Sequence, residues 1–354
     1  MALFGGKKSK PVVGLDIGSS AVKVVDLKKA REGYELTNVG LEALTPETLV
    51  DGAIIDALAV SSAIERIFDQ QKIKSKNVAT SVSGHSVIIK RVTMDNLPED
   101  ELYDQVYADA GQYIPFDIAD VNLDYQVLEV TPMGDQVDIL LVAVKKEKIS
   151  NYTNALIQAR RTATFVDVDA FALQNTYEFN YEPEPALTVA LLNIGASVMN
   201  INIIRGGVPL FTRDVSVGGN SYTDALQKEL ELTFDDAENL KRGQAIATVS
   251  EEQKTAVLRS VSEILALEIQ KTFDFFRASA SGETINHLFV AGGSARVSGL
   301  LDLMRDEFQV NVDELDPFRN IRYSPAKFSD EYIDEVKPRL AVAVGLALRS
   351  FEQA

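Results

Sequence analysis

Asp16, Gly18, Ser19, Ser20 and Lys23 are close neighbours in the segment Val-Gly-Leu-Asp-Ile-Gly-Ser-Ser-Ala-Val-Lys-Val-Val, residues 13–25. A carboxylate at the end of an apolar run can hold a water of hydrated Mg2+. The amides and hydroxyls of a Gly-Ser tip can donate to phosphate oxygens. A lysine on the returning run can pair with a phosphate as a point charge. The pattern occurs again at residues 190–202, Ala-Leu-Leu-Asn-Ile-Gly-Ala-Ser-Val-Met-Asn-Ile-Asn, where Asp16 falls on Asn193, Gly18 on Gly195 and Ser20 on Ser197. The offset is 177, half of the 354 residues in the chain. Each copy reads as a hairpin with a tight tip. A hairpin duplicated at half-length spacing predicts two similar lobes, with the phosphates of one nucleotide held between the tips. The competing reading is two ordinary hairpins, the first with an acid at its turn.

Three further groups fit the same chemistry. A strand ending in Gly292-Gly293-Ser294 and followed by a helix would let a ligand approach the backbone at a positive helix end. Gly218-Gly219-Asn220 reads either as another such element or as a plain loop and helix cap. Glu238 and Lys241 share a helix face in Ala237-Glu238-Asn239-Leu240-Lys241. They are either a solvated ion pair or a clamp for a ribose and its base. Hydrolysis needs a carboxylate to order the attacking water, and Asp167 and Asp169 are the acids at a strand-to-helix junction. Asn193 occupies the place of a second metal-side carboxylate. An amide can hydrogen-bond but cannot act as a base, which argues for nucleotide binding with weak or no hydrolysis.

Composition narrows the field. The chain has no cysteine and two histidines, His85 and His287, which excludes thiolate chemistry and argues against a structural zinc or a histidine triad. With 52 acidic and 35 basic residues, its formal charge of −17 repels nucleic acid. The exception is Lys7, Lys8 and Lys10, read as a flexible basic tail over residues 1–10. No apolar run approaches the ~20 residues that span a bilayer. The expectation is a cytoplasmic protein without direct membrane insertion.

The elements that position these residues follow from periodicity. Residues 11–27 and 34–44 read as strands, 56–71 as a helix and 77–82 as a strand. From Ser86 the pattern becomes a β-α-β-β-α block: strand 87–94, a helix capped by Asn96 and opened by Pro98, strands 121–130 and 137–144, and helix 147–160. This block reads as self-contained. Strand 165–169 and a helix from Ala170 follow, and Tyr181-Glu182-Pro183-Glu184-Pro185 reads as the linker between lobes. Residues 222–280 are almost wholly helical, and Pro338 opens the last helix. The expected division is 11–85 with 165–184 and 338–354 in the first lobe, 86–164 as the insert, 185–225 with 285–337 in the second lobe, and 226–284 as a helical subdomain.

Taken in order, these elements resemble the actin-like ATPase superfamily. The fold expected is therefore α/β, a two-lobed actin-like ATPase fold with an FtsA-like β-α-β-β-α insert subdomain. Ile114-Pro115-Phe116, the run 120–125 and Val166-Asp167-Val168-Asp169-Ala170-Phe171-Ala172-Leu173 further resemble the PilM family of bacterial type IV pilus assembly. That resemblance implies bound ATP or ADP with Mg2+. It also implies a groove between insert and first lobe for the cytoplasmic N-terminal tail of PilN, an inner-membrane protein. Tyr103, Tyr107, Tyr113, Phe116 and Tyr125 could line such a groove or belong to the core. The implied role is a scaffold recruited to the inner membrane by its partner and linked to the pilus assembly ATPases, with self-association possible. The alternatives are an active ATPase or phosphotransferase and an FtsA-like polymerising protein.

Overall fold

A computed structural model describes residues 12–131, 133–280 and 282–352; the basic tail expected over residues 1–10 lies outside them. The chain opens with β1 (Val13–Ile17), β2 (Ala21–Lys29) and β3 (Tyr34–Ala43), then a short hairpin of β4 (Leu49–Val50) and β5 (Ala53–Ile54). Helix α1 (Ala57–Gln70) starts where the Asp56 carboxylate accepts from Ala59 N at 2.9 Å. It buries Val60, Ala63, Ile64, Ile67 and Phe68, one stripe at helical spacing. β6 (Asn77–Val82) follows and runs parallel to β1.

Next come β7 (Val87–Asp95), α2 (Glu99–Tyr113), β8 (Val121–Val130), β9 (Gln136–Lys145) and α3 (Lys146–Gln158). The three strands form a separate antiparallel sheet in the order β7-β9-β8. β9 is buried on both faces. Val137, Ile139, Leu141 and Ala143 pack under α2, while Leu140, Val142 and Val144 join the core of the first lobe. Ile149, Tyr152, Ala155 and Leu156 of α3 enter that same core. The insert is therefore not self-contained: α3 and one face of β9 share an apolar core with β1, β2 and α1 of the first lobe. Asn96 does not cap α2 either: its Nδ2 donates to Gly134 O at 2.9 Å, and Pro98 holds the cap position.

β10 (Thr162–Val168) returns to the first sheet, and α4 (Asp169–Tyr181) leads to the second lobe. That lobe contains β11 (Thr188–Ile194), β12 (Met199–Arg205), β13 (Val208–Val215), α5 (Gly219–Leu230), α6 (Phe234–Lys241), α7 (Glu251–Ser279), β14 (His287–Ala291), α8 (Leu300–Phe308) and β15 (Asn311–Glu314). α7 begins in a reciprocal Ser250–Gln253 capping box and buries Val257, Val261, Leu265, Ile269, Phe273 and Phe276. The chain ends with β16 (Ile321–Arg322), α9 (Asp330–Val336) and α10 (Ala341–Glu352).

The two main sheets run β10-β6-β1-β2-β3-β16 and β13-β12-β11-β14-β15. Each starts with an antiparallel three-strand meander and continues with parallel strands. The segment from Phe318 to Val336, expected in the second lobe, belongs to the first. β16 pairs with β3, and Phe318, Ile321, Phe328, Ile333 and Val336 pack with Val25, Leu36 and the last helix. α10 lies against the first sheet so closely that a Cβ on Gly14 would stand 2.1 Å from Ala343 O.

Candidate functional site

The two hairpin tips are the same turn. Gly18 N donates to Ala21 O at 3.1 Å, and Gly195 N donates to Val198 O at 3.0 Å. Among the described residues, the amides of Ser19, Ser20, Ala196 and Ser197 donate to no partner. These are open donors of the kind an anion fills. Below the first tip, Asp16 and Lys23 are opposite each other in the ladder, and Lys23 Nζ donates to Asp16 Oδ2 at 2.7 Å. The same ammonium lies 2.8 Å from where a Cβ on Gly18 would stand, so a side chain there would displace it. Below the second tip, the corresponding ladder pair is Asn193 and Asn200, joined at 2.9 Å.

The second tip anchors two of the other expected groups. Gly219 N donates to Gly195 O and Asn220 N to Ala196 O, both at 2.8 Å. Asn220 Nδ2 reaches Ser197 Oγ at 3.2 Å, and Ser294 Oγ reaches Gly195 O at 3.3 Å. A Cβ on Gly218 would stand 2.5 Å from Gly195 O, and one on Gly292 2.3 Å from Ile194 O, with Gly292 at φ +92°. These glycines are required by backbone-on-backbone packing. Two expectations change here. The first amides of α5 are spent on the tip carbonyls. Gly293 and Ser294 open a single 3₁₀ turn over Gly293–Arg296, and α8 begins only at Leu300.

Glu238 and Lys241 are drawn inward rather than solvated. Lys241 Nζ donates to Glu238, to Gly219 O at 3.1 Å and to Thr223 Oγ1 at 2.8 Å. Burial works against the charge on Glu238, but Lys241, Thr223 and Arg242 outweigh it and hold the carboxyl below its ordinary range. Burial lowers Lys241, against the pull of Glu238.

The two candidate catalytic acids separate. Asp167 is buried, and its Oδ2 accepts from Arg349 Nε of α10 at 2.5 Å. It shares the α10 face of β10 with Phe165, which packs on Val342 and Leu346. The catalytic expectation for Asp167 is thus corrected: strand alternation turns it away from the tips. Asp169 is the first residue of α4 and accepts from Ser81 Oγ at 2.6 Å. Burial and the charges of Asp16 and Asp214 push its carboxyl up to about 6, against hydrogen bonds from Ser81 and Ser83.

Asp214 is a site residue that the sequence reading missed. Asn200 Nδ2 donates to its Oδ1 at 2.8 Å, and Gly84 N of the first lobe donates to its Oδ2 at 2.5 Å. Its signal was its register: it is directly opposite Asn200. His85 Nε2 and Ser216 Oγ, 3.2 Å apart, form a second link between the lobes. The site as a whole has two tips with open amides, two acid–lysine pairs, one acid raised to about 6 and one acid bridging the cleft. Among the described residues no cluster of three metal-ligating side chains exists. A divalent cation would fit here as a hydrated ion shared between Asp16 and phosphate oxygens.

The aromatic residues of the insert divide. Tyr103, Tyr107 and Tyr125 line a cavity of about 560 Å³ with Leu97 and Val127, built wholly from insert residues. Tyr113 and Phe116 pack against the core of the insert. Beside the seam with the first lobe, Val50, Ile55 and Leu58 are exposed. There Tyr152 of α3 donates to Gly52 O in the β4–β5 turn at 2.9 Å.

A family model for the type IV pilus assembly protein PilM matches residues 14–351. The chain belongs to the PilM family. Its fold agrees: a solved PilM–PilN type IV pilus biogenesis complex superposes with a TM-score of 0.86 and 27% identity, covering 96% of this chain and 98% of that one. MreB 5 of Spiroplasma citri, solved with AMPPNP, shares the fold at a TM-score of 0.56 and 14% identity, covering 98% and 97%. The cell division protein FtsA of Staphylococcus epidermidis is 23% identical over 83% of this chain and 72% of its own length. FtsA of Borreliella burgdorferi is 21% identical over 97% and 91%. The PilM-family chain is thus an actin-like α/β protein. Among its described residues no helix is long and apolar enough to cross a membrane.

Proposed function

We propose that this chain binds ATP or ADP with Mg2+ between its two hairpin tips and acts as a scaffold of the type IV pilus inner-membrane complex. The observation that carries the nucleotide reading is the pair of matching turns, each with two free amides, around one acid–lysine pair. The tip amides, Ser19, Ser20 and Ser197 would hold the phosphates, with Lys23 and Asp16 beneath them. Glu238 and Lys241 lie beside Gly219, where a ribose would meet α5 and α6. Asp169 is the base this site offers, and Asn193 leaves the second lobe without a carboxylate at the matching place. That combination favours retention over turnover.

The scaffold reading draws on the family and on the partner in the solved relative. We place a PilN-type N-terminal tail along the seam of insert and first lobe, where Val50, Ile55 and Leu58 offer unpartnered apolar surface. Recruitment to the membrane would then come through that partner, with the assembly ATPases further out. Two measurements test this. Protein mixed with Mg-ATP and freed of unbound ligand is analysed for bound nucleotide over hours. Intact ATP supports a structural ligand, repeated turnover to ADP supports the ATPase alternative, and no bound nucleotide ends the reading. For the tail, Ile55→Glu should weaken peptide binding and Tyr103→Ala should not; the reverse moves the peptide into the insert cavity.

A further inference from the structure

The insert carries one lysine into the cleft. Lys148, in the first turn of α3, is 7% exposed. Among the described residues its ammonium has no hydrogen-bond or ion-pair partner, although Asp169, Asp214 and Asp51 all bear on it electrostatically, Asp169 most. Three of the cleft acids are already engaged. Asp16 holds Lys23. Asp169 accepts from Ser81. Asp214 accepts from Gly84 N and Asn200. Room for the ammonium is made by two left-handed glycines. A Cβ on Gly52 (φ +71°) would stand 2.9 Å from Nζ, and one on Gly84 (φ +87°) 3.7 Å away.

A largely buried ammonium that lies 5.9 Å from the Tyr152 ring centroid but has no ion-pair partner is costly. A fold that builds a space around one, at the edge of an anion site, has left a place for a negative group. We propose that Lys148 is a counter-ion for the terminal phosphate of a nucleoside triphosphate, supplied to the cleft by the insert. This rests on the nucleotide reading above and deepens it. Every other candidate phosphate ligand belongs to one of the two lobes. Lys148 alone sits on the element that also borders the seam, so ATP and ADP would hold α3 differently. Binding at the seam and binding in the cleft then share one helix, which is what a coupling between sites requires.

The test measures equilibrium affinity of the full chain for Mg-ATP and Mg-ADP in the wild type, Lys148→Met and Lys148→Arg. Loss of a charged contact predicts about ten- to a hundredfold weaker ATP binding in Lys148→Met, with ADP affinity unchanged. Lys148→Arg should keep most of the ATP preference. Thermal melting without nucleotide gives an independent readout: Lys148→Met should melt higher than the wild type, because an unpaired buried charge is gone. An unchanged ATP-to-ADP ratio in Lys148→Met, or a lower apo melting point, overturns the assignment. A wild type that binds neither nucleotide overturns the functional reading itself, which a failure confined to Lys148→Met does not.

Discussion

The two hairpin tips share one backbone but spend it differently. In the first, the ladder pair beneath the tip is Asp16 and Lys23, an acid and a base joined directly. In the second, the same pair is Asn193 and Asn200, two amides that pass the contact on to Asp214 and through it to Gly84 of the opposite lobe. The first tip keeps a charged pair directly beneath its turn. The second moves its carboxylate one strand over and uses it to tie the lobes together. Equal local geometry therefore carries unequal side-chain pairs: a charged pair beneath the first tip and an amide relay that braces the lobes beneath the second.

Breaking the first pair should have the largest effect. Asp16→Ala leaves the mostly buried Lys23 unpaired and should cost about 3 kcal/mol in urea unfolding. Asp16→Ala and Lys23→Ala should both lose bound nucleotide faster than Asp169→Ala. The matched change in the other tip, Asn193→Ala, removes one neutral hydrogen bond and should cost about 1 kcal/mol. Equal losses at the two tips would erase the distinction.

The acid between the tips is next. The folded protein raises the Asp169 carboxyl to about 6, above its ordinary value, because of burial and its acidic neighbours. Its contribution to stability is fully present below the ordinary carboxylate range and is lost as the pH rises through about 6. Asp169→Asn fixes the uncharged form, so it should be more stable than wild type at pH 7.5 by about 2 kcal/mol. That advantage should shrink as the pH falls below 6. A gain that does not change with pH would mean that the carboxyl is not the titrating group.

Asn193→Asp sharpens the comparison by making the tips alike. A new carboxylate near Asp214 should destabilise the protein by about 1 kcal/mol. It should also raise ATP turnover if the amide is what limits hydrolysis; unchanged turnover would put the limit elsewhere. The smallest effect belongs to Ser197→Ala. Its hydroxyl accepts from Asn220, and losing that contact should cost about 0.5 kcal/mol in the same urea assay.

Much of the site was legible because it is local. The tip turns close over three residues, and their ladder partners are seven apart, so sequence spacing carries them. Asp167 was misjudged for a parity reason. It is two residues before Asp169, a spacing that shares a face only while the strand continues, and the chain enters α4 at Asp169. Asp214 showed only its register opposite Asn200, and Lys148 left no local signature. One meets Gly84 across 130 residues, and the other comes from a helix whose sequence reads as part of the insert. The segment 318–336 was misplaced because β16 is two residues long, too short to show period, and joins a sheet whose other strands precede it by more than 150 residues.

By itself the sequence determined the doubled hairpin, the helical stretch over 222–280 and the tip glycines, since turn chemistry and apolar period act between near neighbours. Tertiary structure alone decided which acid faces the cleft, which one braces the lobes and where the ammonium of the insert is buried. Those outcomes depend on charges and cavities assembled from distant segments, and their energies do not exist until the segments meet.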